Sequence, residues 1–256
     1  MKPEIKRFIG KSATFTLDGD VQRIESGGRT VAVLDARRHV TSPRWSASDD
    51  VAPPAHWTGV TRDVREAVAA VIHAVDREHN WQRVYCTPDV VLATDGYRLS
   101  TTPNRTGYVG TIPLAAADLL VAVRDAVLDV GHGRVRVRSR HLVAEAEAED
   151  VTPPDWRSVV PTGAPAWTAT LQPWLRGGES GDDLSPGQWT RPHGEGRSSR
   201  GIDSEGSGDT VRINGHYLDD ALSGQRASVE FRNESDPVVV RVGERLDVVM
   251  PMRRGE

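Results

Sequence analysis

Few residues in this chain are spaced for covalent chemistry. Its eight histidines are scattered, and no His-x-x-x-His or Cys-x-x-Cys pair offers metal-ligand spacing. The one cysteine, Cys86, falls in a segment that reads as a buried strand, where a thiol packs as a small hydrophobe. Gly27-Gly28 lacks the Lys and Ser/Thr that a phosphate-binding loop needs. Asp95 precedes a glycine, the setting of a turn carboxylate rather than of a base. The spacing therefore predicts a non-enzyme with no metal and no cofactor.

Binding chemistry is better represented. The C-terminal stretch Leu246-Asp-Val-Val-Met-Pro-Met-Arg253 is an apolar strand closed by Met250, Pro251, Met252 and Arg253. Methionine is unbranched and polarizable, so it adapts to more than one apolar ligand. Pro251 cannot donate to a strand ladder, which suits an edge. A second stretch, Val90-Val-Leu-Ala-Thr-Asp-Gly-Tyr-Arg-Leu99, places Gly96 where backbone can approach closely, and Arg98 where it can hold a carbonyl or carboxylate. Read alone, Met250 and Met252 could equally be core, and Asp95-Gly96 only a hairpin turn. Arg134, Arg136, Arg138 and Arg140 recur at strand period on one face. That stripe is either a solvated strand face or an accessory contact for an anion.

At 256 residues the chain is long enough for two domains or three small ones. With 38% hydrophobic and 27% charged residues it has the make-up of a globular protein. A net charge of -4 does not announce a nucleic-acid partner, although a ring can be acidic outside and basic inside. A lone cysteine excludes an internal disulfide and fits a reducing compartment. No stretch approaches the ~18 apolar residues of a membrane span, and Met1–Phe8 is no secretory signal. The expected location is cytoplasmic.

The elements that must position these residues follow from periodicity. Ala13–Leu17, Val21–Ile24 and Thr30–Leu34 alternate as strands, and residues 42–56 read as a linker. Val64, Val68, Val71, Ile72 and Val75 predict a helix over 62–79, and Leu114, Leu119, Leu120, Val123 and Val127 a second over 113–128. Each is followed by strands: Arg83–Cys86 and Val90–Ala93, then Arg134–Arg138 and His141–Ala144. Two copies of a helix-plus-strands unit of about fifty residues thus occupy 57–156, an α+β arrangement with helices packed on antiparallel sheets. Residues 176–209 hold nine glycines and few apolar side chains, so a long loop or disordered insert is expected there. A short helix around Tyr217–Leu222 and strands Ala227–Phe231, Val238–Arg241 and Leu246–Met252 close the chain.

Several motifs together resemble the bacterial DNA polymerase III β sliding clamp family: Ala93-Thr-Asp-Gly-Tyr-Arg-Leu99, Ile112-Pro-Leu114, Pro154-Asp-Trp-Arg-Ser-Val-Val-Pro161, Tyr217-Leu-Asp-Asp-Ala-Leu222 and Val248-Val-Met-Pro-Met-Arg253. The resemblance implies a DNA-clamp fold in three parts. Residues 1–50 would hold a partial first domain of strands only, 57–161 a complete middle domain, and 165–256 a third domain with an eroded first half and the 176–209 insert. It also implies a peptide-docking pocket between the middle and third domains, walled by Thr94, Gly96, Tyr97, Arg98, Leu99, Pro161, Val248, Met250, Pro251, Met252 and Arg253. Tyr97 stands where a His is common in the family.

The implied function is a processivity or recruitment factor that binds short peptide motifs of DNA polymerases and repair proteins. A clamp loader and, if a ring forms, double-stranded DNA would be further partners. Arg62, Arg65, Arg77 and Arg124 are the candidate phosphate contacts, although Asp63, Glu66, Asp76, Glu78, Asp118, Asp125 and Asp129 accompany them. The shortened first domain leaves a second form open: a clamp-derived peptide-binding regulator or decoy that does not encircle DNA. Monomer and ring-forming homo-oligomer both remain compatible with the sequence.

Overall fold

The computed structural model describes residues 13–18, 21–26, 29–35, 57–60, 63–77, 81–131, 133–139, 142–173, 181–193 and 196–252. The expected N-terminal strands are present as β1 (Ala13–Asp18), β2 (Val21–Ser26) and β3 (Arg29–Asp35), an antiparallel sheet of their own. The chain divides into two compact units. The first contains β1–β3 together with residues 57–93 and 103–152, and the second contains residues 94–102 and, among the described residues, 153–252.

After β1–β3 the first unit continues with β4 (Thr58–Gly59), followed by α1 (Asp63–Val71) and β5 (Arg83–Cys86). Then come β6 (Val90–Thr94) and β8 (Gly110–Pro113); between them in sequence lies β7 (Arg98–Pro103), which falls in the second unit. Last are α2 (Leu114–Ala122), β9 (Val127–Gly131), β10 (Arg134–Ser139) and β11 (Leu142–Glu147). Both helices are shorter than the periodicity predicts. After Val71 the chain tightens into a single 3-10 turn, Ile72–Ala74, and Val75 is already extended. Val123 ends α2 in an extended conformation, so Val127 and Leu128 belong to β9 instead. Valine is a weak helix former, and its spacing of four fits a strand core as readily as a helix face.

Val64, Val68 and Val71 of α1 pack with Ala116, Ala117 and Leu120 of α2 over Val84, Val91, Ile112, Leu128, Val135 and Val137 of the strands. Small alanines at the α2 contact let the helix lie close to the sheet. Arg65 of α1 closes the other helix: it donates to Leu120 O (3.2 Å) and Val121 O (3.0 Å), satisfying the last carbonyls of α2.

The second unit repeats the plan. It runs β12 (Trp167–Leu171), β13 (Asp182–Ser185), β14 (Gln188–His193), β15 (Gly196–Gly201), β16 (Asp203–Gly206) and β17 (Val211–Ile213). It finishes with α3 (Gly215–Leu222), β18 (Ala227–Phe231), β19 (Val238–Val242) and β20 (Arg245–Val249). In both units the strand that opens each half pairs with the other half. β4 joins β9 and β8 joins β5; β12 joins β18 and β17 joins β13. This exchange ties two halves that are local in sequence into one core. The sheets run β11-β10-β9-β4 and β6-β5-β8 in the first unit, and β15-β14-β13-β17 and β16-β12-β18-β19-β20-β7 in the second.

The segment expected as a loop is therefore mostly sheet: its described residues, 181–193 and 196–209, include β13, β14, β15 and β16. Composition hid this because two of its five described buried residues are charged. Leu184 and Trp189 are fully buried, and so are Asp182 and Arg191. Arg191 donates to Asp182 Oδ2 through Nε (2.8 Å), to Asp219 Oδ1 of α3 (2.8 Å), and lies 4.6 Å from the Trp189 ring. Trp189 Nε1 donates to the same Asp182 oxygen (2.9 Å). A charge enters a core only with such partners. Burial raises the Asp182 carboxyl above its ordinary range, and the Arg191 guanidinium opposes that rise. Among the described residues α3 is the second unit's one α-helix. Asn214 caps its start, accepting from His216 N (2.9 Å), and Arg245 of β20 closes its end through Ala221 O and Ser223 Oγ (2.8 Å).

Replacing Arg191 with Met should strand the Asp182 charge and cost about 3–5 kcal/mol of stability in urea unfolding. Adding Asp182→Asn should recover part of that loss. In the first unit burial pushes the Cys86 thiol and the Tyr108 phenol each up to about 12. The unfolded chain ionises them from ordinary values of 9.0 and 10.0, so their stabilising effect is complete below pH 9.0 and is lost as pH rises towards 12. Native Cys86 should resist iodoacetamide at pH 8, where on the order of one thiol in ten thousand is ionised, and react once the chain is unfolded.

Candidate peptide-docking surface

Every described candidate pocket residue lies in the second unit; Arg253 is outside the described residues. The surface begins at a five-residue turn, Thr94–Arg98, fixed by its own side chains. Thr94 Oγ1 donates to Arg98 O (2.7 Å) and accepts from Gly96 N (3.1 Å). Asp95 Oδ1 accepts from Tyr97 N and Arg98 N, both at 2.9 Å. Gly96 has φ of +89°, where a side chain is strained, and this is why the turn needs a glycine. Asp95 is thus a turn residue.

The turn delivers Tyr97 to solvent with 68% of its surface exposed, and Arg98 to the start of β7. From there β7 pairs antiparallel with β20: Leu99 faces Val248 and Arg98 faces Val249. Met250 N–H donates to Tyr97 O (2.9 Å), carrying the ladder one step past β20. Leu99 and Val248 are buried, so they support the surface from below rather than line it. Arg98 is held on three sides. Nε donates to Asp95 Oδ2 (2.9 Å), a terminal nitrogen donates to Asp220 Oδ2 of α3 (2.6 Å), and the guanidinium lies 4.2 Å from the Tyr217 ring. Burial raises the Tyr217 phenol above its ordinary value, and the Asp95 charge adds to that rise.

Beyond Met250 the chain crosses to the other sheet of the unit. Pro251 forms a bridge with Ile213, and Met252 N–H donates to Arg212 O (2.7 Å). Arg212 is in turn paired with Asp183 (2.9 Å). Met252 Sδ lies over Gly181, where a Cβ would stand 3.0 Å from the sulfur. The outcome is a lip of Tyr97, Met250, Pro251 and Met252, two of them exposed and two half-buried, with Gly96 at its edge. Pro161, half-buried ahead of β12, is held by neither the turn nor the ladder. The residues that sequence reasoning missed are those beneath the lip: Asp220 and Tyr217 around Arg98, and Gly181 under Met252. Only the Tyr-Leu-Asp-Asp run pointed towards them.

The candidate phosphate contacts are used differently. Arg62 is outside the described residues. Arg65 closes α2, Arg77 pairs with Asp118 (3.0 and 3.2 Å), and Arg124 is exposed. The arginine stripe of β10 is largely neutralised within its own sheet. Arg134 and Arg136 both meet Glu145 (3.1 and 2.5 Å), Arg136 also lies 4.1 Å from the Trp57 ring, and Arg138 pairs with Asp129 (2.5 Å). Arg140 is outside the described residues. No group of three His, Cys, Asp or Glu side chains among the described residues could hold a metal ion. No helix among them is long and apolar enough to cross a membrane.

No family profile matches the chain, and no curated protein sequence does either. Solved structures do. The DNA polymerase III subunit beta from Pseudomonas aeruginosa superposes with a TM-score of 0.61 at 15% identity, over 94% of this chain and 76% of that one. The same organism's DNA polymerase sliding clamp, crystallised with ligand, gives 0.62 at 16%, with the same coverage. The beta subunit of DNA polymerase III from Thermotoga maritima gives 0.61 at 16%, again covering 94% and 76%. At this identity the likeness carries the fold: the chain has the sliding-clamp fold, mixed α+β with antiparallel sheets.

Substituting Gly96 with Ala should cost about 1–2 kcal/mol from backbone strain alone, since the added Cβ would meet nothing within 4 Å. Gly96→Asn should cost less, because asparagine tolerates positive φ better. Thermal unfolding of both variants checks the difference.

Proposed function

We propose that this chain is a sliding-clamp-type processivity factor that recruits DNA polymerases and repair proteins by their short peptide motifs. The observation that carries the reading is the lip on the sliding-clamp fold: the Thr94–Arg98 turn, hydrogen-bonded to the end of β20, sets exposed Tyr97 and Met250 beside Pro251 and Met252. An apolar segment of a partner would lie on the methionines, which repack around different side chains, while the backbone beneath them stays fixed. Such a protein needs no catalytic group. Its effect is tethering, which raises a partner's effective concentration at DNA. Exposed Arg124, with Arg62, would meet phosphates without reading sequence. In this reading β1–β3 are what the chain has of a first clamp domain, and the rest of the two compact units supplies the middle and third.

Two measurements test it. A fluorescent peptide from the C-terminus of a DNA polymerase of the same host should bind, and Met252→Ala should weaken binding about tenfold or more, at least 1.4 kcal/mol. Unchanged affinity in that variant removes the lip from the binding site. The protein should also remain on nicked circular DNA and leave when the circle is cut. Peptide binding without retention on the circle would replace this reading with a non-encircling regulator.

A further inference from the structure

The lip gathers most of the thioether sulfur in this chain. Of its three methionines, Met250 and Met252 lie here, two residues apart, and Met1 is outside the described residues. The two described sulfurs stand in different settings. Met250 is 38% exposed. Met252 is half-buried, with Sδ so close over Gly181 that a Cβ there would stand 3.0 Å away. We propose that Met250 is a site of reversible oxidation by hydroperoxides, and that its sulfoxide releases a partner held on the lip.

The step is an oxygen-atom transfer. A lone pair on Met250 Sδ attacks one peroxide oxygen, the O–O bond breaks and an S–O bond forms. With hydrogen peroxide the second oxygen leaves as water, carrying both hydrogens. Sulfur is oxidised by two electrons and the peroxide is reduced by two. A thioether has no proton to lose, so access to the sulfur, rather than an activating base, decides which methionine reacts. Thiolate does not compete. The chain's one cysteine, Cys86, is buried, and burial pushes its thiol up to about 12, which leaves almost none ionised at neutral pH.

The fold around Met250 does not depend on its side chain. The backbone is held by Met250 N–H donating to Tyr97 O (2.9 Å), and the residues before it, Val248 and Val249, are buried against the β7 ladder. An oxygen added to the exposed sulfur therefore meets water and leaves the core alone. A docked partner is affected differently. The sulfoxide is polar, and its oxygen accepts hydrogen bonds that the thioether did not need. An apolar side chain laid over it would strip that water and offer no donor in return. The exposure that admits peroxide also admits a sulfoxide reductase, which oxidises two thiols to a disulfide and returns the thioether, with water as the other product.

The release of a partner rests on the peptide-docking reading; the oxidation itself does not. Added oxygen is mapped without any partner present, so the two can fail separately.

The test treats the full chain with millimolar hydrogen peroxide at neutral pH and quenches it over a time course. Tandem mass spectrometry of the fragment Leu246–Arg253 then assigns the oxygen to Met250 or Met252. Met250 should oxidise about threefold faster or more, with an unchanged circular dichroism spectrum. The oxidised protein should bind the fluorescent polymerase peptide about tenfold more weakly. Methionine sulfoxide reductases, one for each sulfoxide epimer, should restore the affinity. Met250→Leu has no sulfur to oxidise at that position, so peroxide should not lower its affinity below its own untreated value. Equal or faster oxidation of Met252 overturns the proposal, as does loss of the native spectrum on oxidation. A Met250→Leu variant that still loses affinity on treatment overturns it too. If the untreated protein binds no peptide, the docking reading and the release fall together, and the oxygen map still decides whether Met250 is the oxidation site.

Discussion

A strand at the rim of a sheet carries a row of N–H and C=O groups that something must satisfy, and this chain is arranged around how those rows are met. The first answer is exchange. Each half of a unit sends its opening strand to the other half's sheet, so β4 covers β9, β8 covers β5, β17 covers β13 and β12 covers β18. One consequence is cooperativity, because neither half can complete its sheet alone. Another is that the helices need not be long. α1 and α2 have nine residues each and α3 eight, too short to be stable in isolation, and they persist because a packed face holds each of them and an arginine closes the C-terminus of α2 and of α3. Arg65 closes α2 and Arg245 closes α3, from a helix in one unit and a strand in the other.

The candidate lip is a product of the same rule. The β7·β20 ladder is extended by one further bond, Met250 N–H to Tyr97 O, and ends where Pro251 has no N–H to give. The chain then changes sheets through the Ile213–Pro251 bridge. Side chains near the crossing are left above the sheets rather than between them, which is why two methionines and a tyrosine remain available. Their support is mixed: buried Leu99 and Val248, with Arg98 on Asp95, Asp220 and Tyr217, and Arg212 on Asp183.

Much of the architecture was legible in the sequence because strand alternation and turn chemistry are local. Ala13–Leu17, Arg83–Cys86 and Val238–Arg241 read as strands, and the structure has strands there, the first and last each one residue longer. Helix ends were less legible. Leu119, Leu120, Val123 and Val127 have a spacing that both a helix and a helix-to-strand transition satisfy, and only the packing of Leu128 in the core settles it. The segment around Asp182, Trp189 and Arg191 was misread for a different reason. Composition treats Asp and Arg as solvent-seeking, whereas here each supplies the other's hydrogen bonds, and the alternation becomes visible only once the pair is counted as buried. The lip residues were named from motifs, while Gly181 and Asp220, distant in sequence, carried no local mark of what they support.

The low identity to solved clamps follows from what the fold demands. Backbone pairing constrains register and turn conformation but leaves most side chains free, so the fold is compatible with 15–16% identity. Positions that tolerate little change are those where the backbone itself is special. Gly96 at φ +89° is one. Gly206 is another: at φ +100° a Cβ would come within 2.2 Å of Ala166 O, the carbonyl that Ser207 N–H bonds to. The buried charges of Asp182 and Arg191 are the opposite case. They show how far a core can depart from apolar composition while its hydrogen bonding keeps the sheet in register.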